Sequence, residues 1–127
     1  MTILAAYQQT PEGQAAVATA VAEAKLRDTD LVLLVAPAPD GGEAMRTLHD
    51  VDPDLDPGDV SVRLHPAVRP DDLAGEVVDL ATELDATLIV IGLRRRSPVG
   101  KIFFGSTAQN VLLNATVPVL AVRATQS

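Results

Sequence analysis

The fold is indicated most clearly by residues 88–107, which read LIVIGLRRRSPVGKIFFGST. The first four residues form an apolar, mostly β-branched run, typical of a buried strand, and Gly92 follows it. A short basic loop comes next, and Gly105, Ser106 and Thr107 then precede a new helical pattern. This order brings backbone N–H groups and positive charge together, which favours the binding of an anionic phosphate group.

The alternation of apolar runs and helical patterns extends over the whole chain. Thr10 is an N-cap candidate followed by a proline and an acid, and Pro70 begins a second helical pattern. We predict strands at 3–7, 31–36, 60–64, 88–91 and 117–123, with helices from 11 to about 27, from 70 to 84 and from 105 or 106 to about 113. No hairpin signal is present. The elements therefore predict an α/β fold, a doubly wound parallel sheet with helices on both faces and right-handed crossovers.

The predicted architecture alone, without any sequence motif, indicates where a ligand would bind. In doubly wound sheets, ligands bind beyond the carboxyl ends of the strands, where the strand order reverses. The turn at 8–10 follows the first predicted strand, and the basic loop follows the fourth. We expect the two segments to face each other if these strands are neighbours.

The middle of the chain carries weaker signals. Residues 43–49 are compatible with one or two helical turns, and residues 50–59 form an acidic, proline-punctuated loop with five aspartates. The loop lacks the glycine and the closing glutamate of a calcium-binding EF-hand at the required positions. We therefore interpret it as a solvated surface loop and predict no metal site.

The last predicted strand contains Pro118. Proline cannot donate a hydrogen bond to a sheet, so it favours edge strands and strand starts. An exposed apolar edge tends to associate unless it is covered or paired. We therefore predict a homodimer formed through the edge strand Val117–Val122.

Composition and charge narrow the class of protein. The chain has 127 residues, 47% of them hydrophobic, and a net charge of −7. All 17 acidic residues lie at or before Asp85, whereas the residues after it include five basic residues and no acid. A globally acidic chain with a local basic segment favours a small anionic ligand and argues against general nucleic-acid binding.

The cysteine content and the length of the apolar runs narrow the class of protein further. There is no cysteine, which excludes disulfides and thiolate chemistry. We find no signal peptide and no apolar stretch of the roughly 20 residues that cross a bilayer, so we expect a cytoplasmic protein without a membrane partner.

The sequence resembles the universal stress protein family over essentially the whole chain. The similar segments are the opening strand with its turn at 3–11, the fourth strand at 86–92, the residues at 105–113 and the closing strand at 117–122. The resemblance implies one domain spanning residues 1–127 and a five-stranded parallel sheet in the order 3-2-1-4-5. It also implies a dimer contact through the closing strand and a role in the stress response.

Some members of this family bind ATP through the motif Gly-x2-Gly-x9-Gly-Ser/Thr. Small glycines let the backbone approach the phosphates, and the final Gly-Ser/Thr donates N–H and hydroxyl bonds at a helix start. Gly92, Arg95 and the pair Gly105-Ser106 stand at that spacing, so an arginine replaces the middle glycine. In the first loop, the family's aspartate falls on Gln8 and its glycine on Gln9.

Two interpretations of the altered loop remain open. In the first, Arg95 fills the space of a phosphate and the site is lost. In the second, Arg94, Arg95, Arg96 and Lys101 supply charge-assisted hydrogen bonds to the phosphates in place of backbone donors. Gly100-Lys101 does not complete a Walker A motif, because Arg95 and Ile102 occupy the positions of the required glycine and hydroxyl residue.

We favour retained binding of an adenine nucleotide, ATP, with the part of magnesium left open. By family position, the adenine pocket is apolar and is formed by Ala6, Val35, Ala36 and Ile91. The full set of candidate nucleotide-binding residues is Ala6, Gln8, Val35, Ala36, Ile91, Gly92, Arg94, Arg95, Arg96, Gly100, Lys101, Gly105, Ser106 and Thr107.

We expect no catalytic residues. His49 and His65 are predicted in loops, far in sequence from Ser106, and Tyr7 is predicted to pack at a strand end. A catalytic triad cannot be assembled, and Gln8 cannot act as a base or a strong metal ligand. We therefore predict a binding module rather than an enzyme, with slow ATP hydrolysis left open.

The alternatives are a family member that contacts a protein partner through its arginine-rich loop, and a phosphate-ester hydrolase or nucleotidyltransferase.

Overall fold

The computed structural model describes residues 1–38, 40–42, 44–93 and 105–124. Its strands are β1 (Thr2–Tyr7), β2 (Asp30–Val35), β3 (Val62–Pro66), β4 (Leu88–Leu93) and β5 (Val119–Arg123). Its helices are α1 (Pro11–Arg27), α2 (Leu48–Val51), α3 (Leu73–Glu83) and α4 (Ser106–Asn114), with a 3₁₀ turn at Pro70–Asp72 before α3.

The five strands form one parallel sheet in the order β3-β2-β1-β4-β5, which confirms the predicted fold class and strand order. β1 lies at the centre, and all of its residues from Ile3 to Tyr7 are buried. The alternation of side chains along the strand sends Ile3, Ala5 and Tyr7 to one face and Leu4 and Ala6 to the other. A central strand of a parallel sheet needs apolar side chains on both faces, which explains its uninterrupted apolar run.

Helices cover both faces of the sheet. The first face packs against α1 and α2 through residues that include Val17, Val21 and Leu48. The second face packs against α3 and α4 through residues that include Val77 and Val111. None of the described helices is long and apolar enough to cross a membrane.

Three elements have bounds that differ from the predicted ones. The third strand starts at Val62 rather than residue 60, because the Val60 amide closes a turn on the Pro57 carbonyl. The helical turns predicted at 43–49 lie instead at Leu48–Val51, because Thr47 and Asp50 form a reciprocal capping box there. The last strand starts at Val119, just after Pro118, whose carbonyl accepts from the Ile89 amide.

The prediction that this last strand lies at an edge was confirmed, since β5 pairs with β4 alone among the described strands. The expectation that both histidines lie in loops was wrong. His49 lies in α2, and His65 lies in β3 opposite Leu34.

Candidate functional site

The strand order reverses between β1 and β4, and a cavity lies at the carboxyl ends of these two neighbouring strands. We call it the switch-point cavity, and its volume is about 300 Å³. Its described lining residues come from β1, α1, α3, β4 and α4 and from residues next to them: Ala6, Gln8, Thr10, Glu12, Gly13, Leu73, Ile91, Gly92, Gly105, Ser106, Thr107 and Ala108.

The turn between β1 and α1 forms one wall of the cavity. The Thr10 hydroxyl accepts from the Gly13 amide at 3.0 Å and thus caps α1, while the Thr10 amide donates to the Gln8 carbonyl at 2.7 Å. A Cβ atom at residue 13 would collide with the Gln8 carbonyl, so Gly13 is required for a turn this tight. The turn leaves the Gln8 side chain exposed at the cavity.

The carboxyl ends of β1 and β4 form the floor of the cavity. Ala6 and Ile91 are almost fully buried apolar residues there, with 9% and 2% exposure. The backbone of Glu12 passes directly over Gly92, where an added Cβ atom would lie 2.5 Å from the Glu12 carbonyl oxygen. Gly92 therefore lets the start of α1 rest on the end of β4.

The start of α4 forms the opposite wall. Gly105 occupies the N-cap position, and no side chain of the described residues caps the helix there. The first intrahelical bond is donated by the Gln109 amide to the Gly105 carbonyl at 3.0 Å, so the amides of Ser106, Thr107 and Ala108 have no acceptor within the helix. Two helices from opposite faces of the sheet thus start at this cavity, one capped by Thr10 and the other without a side-chain cap. An uncapped helix start attracts anions through its N–H groups and its dipole.

Few charged side chains are found among the described residues that line the cavity. Among the described lining residues, Glu12 is the one with an ionisable side chain, and the remaining polar groups are Gln8 and the hydroxyls of Thr10, Ser106 and Thr107. The predicted cationic residues Arg94, Arg95, Arg96 and Lys101, together with Gly100, lie outside the described residues. Their part in the site stays a prediction.

The predicted adenine-pocket residues divide between two cavities. Ala6 and Ile91 line the switch-point cavity, whereas Val35 and Ala36 line a second cavity of about 320 Å³ at the ends of β2 and β3. The second cavity is mostly apolar and is lined by Gln9, Val35, Ala36, Pro37, Ala38, Gly41, Gly42, Ala44, Met45, Pro66 and Ala67. In total, the predicted residues that the switch-point cavity brings together are Ala6, Gln8, Ile91, Gly92, Gly105, Ser106 and Thr107.

Sequence reasoning missed several of the residues that line this cavity. Thr10, Glu12 and Gly13 were interpreted as a helix start or passed over, although their position after the first strand was a usable signal. Leu73 and Ala108 gave no signal, because they reach the cavity from α3 and α4 through packing against the sheet.

Tyr7, the last residue of β1, is a buried titratable residue at this end of the sheet. Tyr7 is 1% exposed and its phenolic oxygen accepts from Gln14 Nε2 at 3.0 Å. Burial, reinforced by the nearby Asp52 charge, raises the pKa of the Tyr7 phenol above its usual value. Within the described parts of the chain, no group of three or more His, Cys, Asp or Glu residues is placed to hold a metal ion.

A doubly wound parallel sheet with a cavity at its switch point, flanked by two helix starts, defines an α/β protein with a candidate ligand site. The chain belongs to the universal stress protein family, whose family model matches residues 1–123. The resemblance inferred from the sequence is thereby confirmed.

Individual relatives agree with this assignment. A curated universal stress protein of Mycolicibacterium smegmatis is 39% identical in an alignment of 126 positions that covers 95% of this chain and 96% of the relative. A universal stress protein structure from Archaeoglobus fulgidus is 28% identical, with a TM-score of 0.73, and the match covers 96% of this chain and 98% of that one. The structure of the universal stress protein from the same organism in complex with dAMP is 25% identical, with a TM-score of 0.68 and coverages of 96% and 97%.

Proposed function

We propose that this universal stress protein binds an adenine nucleotide, ATP, in the switch-point cavity and acts as a homodimeric stress-response module. The observation that carries the proposal is the start of α4, which opens into the cavity without a side-chain cap. Its first-turn amides need acceptors, and phosphate oxygens are suited to this role. The hydroxyls of Ser106 and Thr107 add two further donors beside these amides.

The apolar floor supports the assignment of the other end of the ligand. Ala6 and Ile91 present apolar surface at the ends of β1 and β4, where a planar base can be sheltered from water. The related universal stress protein in complex with dAMP has the same fold and a closely similar length. An adenine nucleotide is therefore the ligand class that best fits both ends of the cavity.

We propose that binding, rather than turnover, is the activity. A hydrolase would need a base aligned on an attacking water, and Gln8 cannot supply one because an amide does not take up a proton at neutral pH. The proposal does not specify whether magnesium accompanies the nucleotide, since Gln8 is a weaker metal ligand than a carboxylate.

The dimer belongs to the same proposal. β5 is an edge strand, and its residues Val119 to Val122 are partly exposed apolar side chains. A second copy that pairs with this edge would cover them and satisfy the outward backbone groups.

One observation favours a second candidate function. Arg95 stands where the ATP-binding motif of the family has a glycine. An arginine there fits a family member that has given up the nucleotide and contacts a protein partner through the basic segment 94–96 instead.

Isothermal titration calorimetry of the wild-type protein separates the two. ATP, ADP and AMP are titrated in turn, each with magnesium and with a chelator. We expect saturable binding of ATP at micromolar concentration. The absence of heat with all three nucleotides at high micromolar concentration would remove the nucleotide proposal and leave the protein-interaction alternative. Phosphate release from bound ATP, measured in the same samples, tests whether turnover is absent.

A further inference from the structure

The segment around α2 is a small unit stabilised by its own hydrogen bonds. The Asp50 carboxylate accepts from the backbone amides of Arg46 and Thr47 at 2.9 and 3.2 Å, and the Thr47 hydroxyl accepts from the Asp50 amide. These amides hold the pKa of the Asp50 carboxyl below its usual range, because they stabilise its charged form. Residues 46–52 therefore hold their local structure through hydrogen bonds within the segment.

This unit is attached to the rest of the fold by apolar packing and by a single described hydrogen bond, and Met45 and Leu55 pack against the same core as α2. Leu48 and Val51 are buried against the face of the sheet that carries α1, with 7% and 4% exposure. Within the described part of the chain, residues 44–55 have one hydrogen bond to the rest of the fold, donated by Gln14 Nε2 to the Val51 carbonyl at 3.1 Å.

Tyr7 holds the Gln14 amide in position for that bond. The same Nε2 atom also donates to the Tyr7 phenolic oxygen at 3.0 Å, so both hydrogens of the amide nitrogen are used. Tyr7 is the last residue of β1, and its carbonyl accepts from the Ala36 amide at 2.9 Å. The residue that orients Gln14 is thus fixed within the sheet itself.

The attached segment covers a cavity. Ala44 and Met45 form one side of the second cavity, opposite residues at the ends of β2 and β3. Gly41 and Gly58, on either side of the segment, both have positive φ angles, of 73° and 61°. Such positions accommodate backbone rotation more readily than positions with a side chain.

We propose that residues 44–52 form a hinged wall of the second cavity, and that the hydrogen bonds joining Tyr7, Gln14 and Val51 are the latch that holds the wall closed. Release of the latch swings α2 away from α1 and opens the cavity at the ends of β2 and β3. The inference does not depend on nucleotide binding, because the latch acts on the empty protein.

Hydrogen exchange measured by mass spectrometry on the whole protein tests this proposal. The reporters are the amides of Asp50, Val51 and Asp52, which donate within α2. The variant Gln14→Met keeps the helix and the side-chain volume but removes both donors. We expect exchange in residues 44–55 to become about tenfold faster, the effect of losing an ordinary hydrogen bond. Tyr7→Phe leaves the bond to Val51 in place, so its acceleration is smaller.

The control is Gln109→Met, the same substitution at an exposed position on α4. It should exchange like the wild type in residues 44–55. Equal exchange in Gln14→Met and Gln109→Met would overturn the latch, and so would an acceleration that extends equally through α3 and β4, since that result describes a global loss of stability. If Gln14→Met fails to fold, Tyr7→Phe against the wild type decides the question by the same criteria.

Discussion

The carbonyl oxygen of Glu12 lies over Gly92, so close that a Cβ atom there would be 2.5 Å from it. Gly105, thirteen residues further along the chain, is in the opposite situation, because apart from its own neighbours in the chain no described residue has an atom within 4 Å of an added Cβ atom. Both glycines belong to the spacing of the ATP-binding motif, yet they have different physical roles. Gly92 is required for packing, whereas Gly105 keeps space open in the cavity.

The first prediction follows from the contact at Gly92. Gly92→Ala forces the start of α1 away from β4, and overpacking of this kind costs about 1–3 kcal/mol in the free energy of unfolding. Urea denaturation followed by circular dichroism measures the change. An unaltered denaturation midpoint would show that α1 does not rest on β4 as described.

The second prediction concerns Gly105. Its φ and ψ angles of −62° and 164° are extended values that other residues adopt without strain, so Gly105→Val should fold with nearly unchanged stability. The new side chain enters the cavity beside the start of α4, and we expect ATP binding to be lost in calorimetry. The smaller Gly105→Ala serves as the graded control. Wild-type affinity in the valine variant would place the ligand elsewhere.

The third prediction separates the backbone donor from the hydroxyl at Ser106. Ser106→Ala removes only the hydroxyl, whereas Ser106→Pro also removes the N–H group. Proline is tolerated at the first position of a helix, and the extended angles of Gly105 suit a residue before proline. We expect Ser106→Pro to weaken nucleotide binding about tenfold more than Ser106→Ala does, the effect of one charge-assisted hydrogen bond. Equal affinities would show that this amide does not contact the phosphate.

The fourth prediction uses the raised pKa of Tyr7. Tyr7 is the one tyrosine of the chain and there is no tryptophan, so tyrosinate absorbance reports on it directly. Its folded-state pKa lies above the usual value of 10.0, so the folded protein keeps a proton that the unfolded chain releases. This contribution to stability is therefore present below pH 10.0 and is lost as the pH rises through the folded-state pKa.

Comparison of the wild type with Tyr7→Phe isolates the effect, because every other alkaline titration is shared. The stability difference between the two proteins, measured by urea denaturation, should move against the wild type as the pH is raised from 10.0 through the folded-state pKa of Tyr7. A difference that stays constant with pH, or a tyrosinate transition at the ordinary pKa, would contradict the burial of the phenol.

The fifth prediction concerns the edge strand. The Ile89 amide donates to the Pro118 carbonyl, and in a parallel ladder this leaves the amides of Val119 and Ala121 pointing away from β4. Ala121→Pro removes one outward donor, so we expect it to convert a dimer into a monomer in sedimentation velocity. Ala121→Ser keeps the donor and should stay dimeric. A monomeric wild type at micromolar concentration would remove the dimer proposal altogether.

The buried parts of the fold could be predicted from the sequence because their signals are local. The apolar run of β1 and the Thr10-Pro11 start of α1 each reflect backbone and side-chain preferences that act within a few residues. Where local signals compete, the predicted bounds of an element differed from the observed ones. The Thr47–Asp50 capping box placed α2 at Leu48–Val51, later than the helical turns considered at 43–49, and the Val60 turn shortened the start of β3.

The candidate site was only partly predictable. Gly92, Gly105 and Ser106 stand at a spacing that is visible in the sequence, and all three line the switch-point cavity. The division of the apolar candidates between two cavities was not visible, because Val35 ends β2 and Ala36 follows it, on the opposite side of β1 from β4. Leu73 joins the cavity only through the packing of α3 on the sheet.

By itself the sequence determined the strands, the main helices and the family, since periodicity, helix capping and motif spacing are properties of neighbouring residues. Tertiary structure alone decided that Glu12 rests on Gly92, that Gln14 joins Tyr7 to Val51, and which side chains share a cavity. Contacts of this kind join residues distant in the chain, and their geometry is set by how helices pack on a twisted sheet, which no local pattern of residues encodes.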